Sequence, residues 1–488
     1  MKKIHNKYIV IFLVLIIQPF TGCKKFLNEK VYTEYAPEEF LKTEDGIKKV
    51  LIGAYSRLQI INGTINMRDN IFTLSEFPTD QTREYGGGFE RDALPFINFQ
   101  WDPASPFFQQ VWSQMYTAVR NANVFLDNIA DIKSIPADRA TIYIAEARFI
   151  RAAAYAQLYG YFGPVPLITT AGELDFEPAK PEVQEFLDFV STELQAAAKD
   201  LPLKQDLTGK ATRGVALSVL CKLYLNTRQW QRSADAAKAV IDLNLYQLFS
   251  EIENLFAVQN ENNKEYIYVF PCINQYLYAN NYMPHAFPPN YPILSNWMNF
   301  GAQITLYTSF VKTFDLNDRR RKMILTEYTD TRNVHKLLLE DVQGRPLDDS
   351  RSFKYTPDPD ADGESNGNDI PVIRYADILL SRAEALNELN GPTEESIQLI
   401  NQVRARAAIS SVSLQNFSSK TALRDLILQE RGREFFSEGK RREDLIRMDK
   451  FISGAQARGK IAKPYHSLYP IPQSEIDANP NLKQNEGY

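Results

Sequence analysis

Ala211 to Leu225 is apolar on nearly every side, broken mainly by Arg213, Ser218 and Lys222. A helix so patterned has no polar face to offer water, so it must lie inside with neighbours on several sides. The turn Thr227-Arg228-Gln229-Trp230 follows, and Ala234, Ala237 and Ile241 then recur at spacings of three and four. Tyr375 to Leu389 repeats the design with Ile378, Leu379, Ala383 and Leu386. Gly391-Pro392 breaks that helix, and Ile397, Ile400, Val403 and Ala407 line the next. Small residues at a crossing, a short turn and a partner helix form a tetratricopeptide-like pair. Earlier helices run from Pro37 to about Leu58, Phe107 to about Ile129, Ala140 to Tyr159 and over 182–200, with Gly160-Tyr161-Phe162-Gly163-Pro164 stopping the third. The expected fold is mainly α: a tetratricopeptide-like array of about four helix pairs, a loop-rich irregular remainder and minor β hairpins, one around Tyr266–Phe270.

The start of the chain has a different grammar. Lys2, Lys3 and Lys7 precede an apolar run from Tyr8 to Ile17, then Pro19-Phe20-Thr21-Gly22 and Cys23. A positive start, a short apolar core and small residues before a cut mark a secretory signal. The run is shorter than the roughly 20 residues a spanning helix needs. Small residues directly before a cysteine resemble a bacterial lipoprotein signal, although Phe20 stands where Leu is common. That resemblance implies a signal peptide over 1–22 and lipid attachment at Cys23. Two or more acyl chains hold a protein firmly on a membrane, at about 0.8 kcal/mol per buried methylene. Losing three lysines would take the formal charge from -5 to -8, so no nucleic-acid partner is expected.

Cys221 and Cys272 remain as two separate buried thiols or one disulfide, and Cys221 lies in the most apolar helix. His285, His335 and His466 lack metal-site spacing, so neither a metal nor a cofactor is expected. The triple glycine Gly86-Gly87-Gly88 lacks the ending of a phosphate-binding loop and gives a loop freedom to adapt. Asp358, Asp360, Asp362, Asn366 and Asn368 fit a solvated turn better than a calcium loop.

Segments 69–112 and 266–300 are crowded with aromatics, Pro, Asn and Gly and lack helical periodicity, which suits functional loops. Binding a neutral sugar needs flat apolar faces and a few fixed polar groups. Tyr85, Trp101, Tyr282, Tyr291 and Trp297 are the candidate platform, with Asp80 and Arg83 as hydrogen-bonding partners. Phe89, Tyr276, Tyr278 and Phe287 lie in the same segments. Core packing is the competing role for every ring. Trp112 and Trp230 belong to the scaffold. In the charged stretch Glu430 to Arg447, Glu430 and Glu434 could be neighbours, as a glycosidase requires; flanking arginines favour ordinary helix salt bridges.

Several blocks together resemble the SusD/RagB family of outer-membrane lipoproteins: Cys23-Lys24-Lys25-Phe26-Leu27-Asn28-Glu29-Lys30 with Gly53-Ala54-Tyr55; Ile373-Arg374-Tyr375-Ala376-Asp377-Ile378-Leu379-Leu380; Glu430-Arg431, Glu434-Phe435 and Glu438-Gly439-Lys440-Arg441; and Tyr469-Pro470-Ile471-Pro472 with Asn479-Pro480-Asn481-Leu482 to Tyr488. The resemblance implies a single body over 23–488: N-terminal helix pairs to 245 with an inserted loop at 69–106, a loop-rich region over 246–370, and a C-terminal helix pair, charged helix and end motif over 371–488. It implies a non-enzymatic, lipid-anchored lid that binds oligosaccharide and passes it to a TonB-dependent outer-membrane transporter. A peptide-binding subunit of the same fold, a cell-envelope glycosidase and a pure scaffold are the alternatives. Lys24 and Lys25 stand where many surface-exposed relatives carry acids, so cell-surface placement rests on the family likeness.

Overall fold

A computed structural model describes residues 40–59, 71–84, 86–172, 175, 177–276, 278–301 and 303–488. Cys23, the signal segment before it and Tyr85 lie outside the described residues. Eight long helices form four consecutive pairs: α1 (Glu44–Gln59) and, beyond α2 (Glu90–Asn98), α3 (Pro106–Asn128); α4 (Ala137–Phe162) and α5 (Val183–Asp200); α6 (Arg213–Asn226) and α7 (Trp230–Asp242); α8 (Tyr375–Asn390) and α9 (Glu394–Arg406). Each pair packs on the next through α3 on α4, α5 on α6 and α7 on α8. The array is the one the apolar spacing predicts.

Its innermost helix shows how such an element is held. α6 is capped by Thr212, whose side chain accepts from the Val215 N–H, and is buried over most of its surface. Lys222 belongs in it because two carboxylates meet its ammonium there: Asp377 of α8 at 3.3 Å and Glu443 at 2.6 Å. Two expectations need correction. α4 continues through Gly160 and ends at Gly163, whose φ of +72° a side chain would strain. The segment 69–106 is no free loop either: it holds α2 and buries Phe72, Leu74, Phe77, Phe89, Phe96 and Phe99. Its aromatics recur without helical spacing because they fill a core from several short elements at once.

Strands are short. β1 (Thr82–Glu84), β2 (Tyr266–Phe270), β3 (Ile304–Leu306), β4 (Ile324–Leu325), β5 (Glu327–Thr329), β6 (His335–Leu337), β7 (Arg351–Ser352) and β8 (Ile370–Arg374) form four antiparallel pairs, β1–β3, β2–β8, β4–β7 and β5–β6. Tyr266–Phe270 is thus a strand but not half of a hairpin; Tyr266 faces Arg374. Because β8 runs straight into α8, that ladder fastens the loop-rich region to the array. α10 (Lys420–Phe435) and α11 (Arg441–Arg447) close the C-terminal part. Cys221 and Cys272 are both free and buried. Among the described residues no helix is long and apolar enough to cross a membrane.

Candidate functional site

The two aromatic segments meet. β1 of the first pairs with β3 just after the second, Thr82 facing Leu306, and Phe72 packs edge-on against Tyr282 at 5.4 Å. Gly86 and Gly87 turn above this junction with φ of +85° and +79°, and a Cβ on Gly87 would come within 2.8 Å of the Gln303 amide. The glycines therefore answer a backbone conformation and a close approach, rather than a loose loop.

This junction takes two proposed platform rings inside. Trp101 is buried, donates its indole N–H to the Tyr488 hydroxyl at 2.8 Å and packs on His466 and Tyr469. Tyr282 is buried between Phe72 and Tyr355, donates to Ser437 Oγ at 3.0 Å, and burial pushes its phenol up to about 12. Neither has a free face, and both are withdrawn from the platform. Asp80 spends both carboxylate oxygens on Arg441, at 2.7 and 2.8 Å. Burial works against that charge, but the guanidinium outweighs it and holds the carboxyl below its ordinary value. Arg83 is half-buried, 3.8 Å from Asp348.

Tyr291 and Trp297 fare differently. Phe287, buried, lies nearly parallel to both: 5.6 Å and 15° from Tyr291, 5.5 Å and 11° from Trp297. Tyr291 and Trp297 are half-buried, and Tyr291 also meets Tyr328 and Phe353 at 5.7 and 5.3 Å, so a buried ring backs two that keep part of their surface in solvent. Burial raises the Tyr291 phenol above its ordinary value, and it stays neutral. The segment is pinned rather than loose. Trp297 donates its indole N–H to Asp358 O at 2.8 Å, and the Asn296 amide donates to Pro359 O and Ala361 O at 3.0 and 2.9 Å. From the other side the Asn274 amide donates to Asp360 O at 2.6 Å. One turn, 358–361, thus anchors two loops. The second presents Tyr276 and Tyr278, the most exposed aromatics described, at 64% and 63%, with Ile273; Leu294 and Met298 are exposed on the first. Sequence reading named Tyr276 and Tyr278 but did not choose them, and it missed Asn274 and Asn296, whose partners lie over 60 residues away.

The turn departs from expectation in one respect. Asp358, Asn366 and Asn368 are buried, not solvated. Asp358 accepts from the backbone N–H groups of Asp360 and Gly367, and the Asn368 amide holds the Phe256 and Thr356 carbonyls. These polar groups build the clamp. No metal-binding group of His, Cys, Asp and Glu occurs among the described residues.

The charged stretch is also internal. Glu430 and Glu434 reach no solvent: Glu430 accepts from Arg320 at 2.7 Å and Arg404 at 2.9 Å, and Glu434 from Arg374, Arg406 and Arg320. Burial opposes ionisation of Glu434, yet the arginines, Arg406 first, hold its carboxyl far below the ordinary range. The expected pairs at spacings of three and four account for little: among these partners only Arg433, at 3.5 Å from Glu430, lies on α10 itself. Both carboxylates are committed to arginines and out of reach of a sugar ring.

Two family models match the chain, "SusD family" over residues 264–488 and "Starch-binding associating with outer membrane" over 25–225. SusD-like protein P38 of Formosa agariphila is 26% identical, covering 100% of both chains. The starch-binding protein SusD of Bacteroides thetaiotaomicron is 23% identical over 86% of this chain and 85% of its own. A laminarin-binding SusD-like protein of known structure superposes with a TM-score of 0.78 at 23% identity, covering 91% of this chain and 100% of its own.

Proposed function

The chain belongs to the SusD family, and from that premise we propose that it is a non-catalytic glycan-binding subunit of an outer-membrane nutrient importer. The observation that supports this best is the ring row Tyr291–Phe287–Trp297, two half-buried aromatic rings backed by a third, with Trp297 clamped to the 358–361 turn. A pyranose presents a C–H face that packs on such rings, and rings fixed in advance lose little freedom on binding. Tyr276 and Tyr278 on the neighbouring loop extend the surface, their hydroxyls meeting sugar hydroxyls. The names of two relatives, starch-binding and laminarin-binding, describe glucan ligands of those proteins and support an oligosaccharide here.

The wider setting follows from the family. Acyl chains on Cys23 tether the body to the outer membrane, facing outward, and a TonB-dependent transporter receives the captured glycan as the lid closes over it. Titration of the protein without its lipid against neutral glucans, other oligosaccharides and peptides tests the capture step. Trp297→Ala and Tyr291→Ala are each expected to weaken oligosaccharide binding about tenfold, roughly 1.4 kcal/mol and the worth of one good ring contact. Unchanged affinity in both variants removes the platform. Binding of peptides alone moves the function to the peptide-binding alternative, and release of reducing sugar on long incubation overturns the non-catalytic assignment.

A further inference from the structure

The chain carries 60 acidic and 55 basic side chains, yet one corner of its surface runs the other way. Arg458 and Lys460 follow the short helix Phe451–Ala457. Arg458 and Arg83 are the charges that act on Lys460, and Arg441 acts on Arg458. Their hydrogen-bond partners are neutral. Arg458 donates to Gly454 O at 3.1 Å and Pro78 O at 3.4 Å, its Nε has no partner, and Lys460 donates to Asn98 Oδ1 at 3.0 Å. Among the described residues no carboxylate comes within ion-pair distance of Arg458 or Lys460. The acids nearby are already engaged: Asp80 pulls on Arg458 but is gripped by Arg441, and Asp348 faces Arg83 and accepts the Thr308 N–H. Burial pushes both side chains below their ordinary pKa, and for Lys460 the two arginines add to it.

Half-buried cations without counter-charges are costly, and proteins keep them where an anion is to be bound. A hollow of about 480 Å³ adjoins them along the outer face of α2, from Gly87 to Asn98 and Gln100. Asn98 links it to Lys460, which stands just outside; the one cation in the lining itself, Arg91, lies 3.4 Å from Asp92. The one acid in the lining, Glu90, lies at the Gly87 end, about 12 Å along the helix from Asn98. No acid lines the Asn98 end, and that is the end Lys460 reaches.

We propose that this hollow takes the acidic group of a charged oligosaccharide, a uronate carboxylate or a sulfate ester, with Lys460 and Arg458 as its anchors. The assignment rests on the glycan-capture reading and narrows its substrate class. A guanidinium and an ammonium together suit an anionic oxygen cluster better than a hydroxyl.

Two matched pairs test it by calorimetric titration of the protein without its lipid: an oligogalacturonide against its methyl ester, and a sulfated galactan oligosaccharide against its desulfated form. The charged member of at least one pair should bind tenfold or more tightly than its neutral twin, and the advantage should fall between 50 and 500 mM NaCl. Whichever pair shows it identifies carboxylate or sulfate. The double variant R458Q/K460Q, checked for an unchanged melt, should lose that advantage while neutral binding persists, and K460R should retain it. Equal binding of charged and neutral forms, or an advantage that survives R458Q/K460Q, overturns the anion site and leaves glycan capture standing. Absence of binding to these four and to every neutral glycan fails both.

Discussion

Glu76 sits in the aromatic segment ahead of β1, fully buried, with one carboxylate oxygen accepting the Gly439 N–H at 2.7 Å and the other without a partner. Burial, the largest influence, pushes its carboxyl from the usual 4.5 up to about 8. The unfolded chain releases this proton near 4.5 and the folded chain near 8, so the folded state holds the extra proton between them. Its stability contribution is therefore complete below about pH 4.5 and is lost as pH rises toward 8. Glu76→Gln keeps an acceptor for Gly439 and removes the charge. At pH 7.5 it should raise stability by about 1–3 kcal/mol, a few degrees in Tm, and the gap should close by pH 5. A thermal melt series from pH 5 to 8 checks this; a gap independent of pH counts against it. The same residue scale shows where sequence reading ran out. Trp101 and Trp297 look alike in the sequence, each in a segment rich in Pro and Asn. What separates them is tertiary: Tyr488, 387 residues away, closes over the indole of Trp101 and buries it, whereas Trp297, stacked on Phe287 and bonded to Asp358, stays half-buried.

At the element scale, α10 and α11 differ most from a helix read alone. Glu430, Arg431, Glu434 and Asp444 look like surface residues of a salt-bridged helix, yet all are buried. Most of their partners come from elsewhere: Arg431 pairs with Asp377 of α8 at 2.8 Å, and Arg447 of α11 with Glu384 of α8, while Asp444 stays within the two helices, with Arg431 at 2.9 Å and Arg447 at 2.6 Å. Periodicity placed the helices because apolar spacing is local; it could not place the ions, whose partners are set by how helices stack. A buried pair resists removal of one member, because the other charge is left without compensation. Glu434→Ala strands charge among Arg320, Arg374 and Arg406 and should cost about 3–5 kcal/mol, read as a fall in the urea midpoint. If that variant yields no folded protein, Glu434→Gln, which keeps acceptors but not the charge, should fold with a smaller loss. Asp242→Ala on α7 breaks an exposed pair with Lys238 and should leave the midpoint within error. Equal midpoints for the Glu434 variants and wild type would refute the network's structural role.

Across the whole molecule, the last stretch of the described chain is bound to the first helix pairs. Tyr469 donates its hydroxyl to Leu74 O at 2.6 Å and its N–H to Tyr161 O at 2.7 Å. The Asn485 amide donates to Phe162 O and Tyr469 O at 2.8 Å each, and Asn479 reaches Pro178 O at 2.9 Å. Tyr488 accepts the Trp101 indole N–H and donates to Leu468 O. The block around Tyr469–Tyr488, first noticed for its resemblance to a family ending, thus proves to be a strap across the N-terminal array. It also meets α11, whose Arg442 donates to Ser467 O at 2.8 Å and lies over the Tyr469 ring, so the described body should unfold as a unit rather than in two halves. Deleting residues 479–488 removes five of these hydrogen bonds, three of them to the N-terminal array, and takes away the partner of the Trp101 indole. Differential scanning calorimetry should show one transition for the full protein. For the truncated protein the melt should start several degrees lower and split or broaden, with Trp101 fluorescence shifting red before the main unfolding step. Two resolved transitions in the full protein, or an unchanged melt after truncation, would show that the halves stand independently. In that case the ring row near Trp297, which rests on the loop-rich region, would owe nothing to the array beneath it.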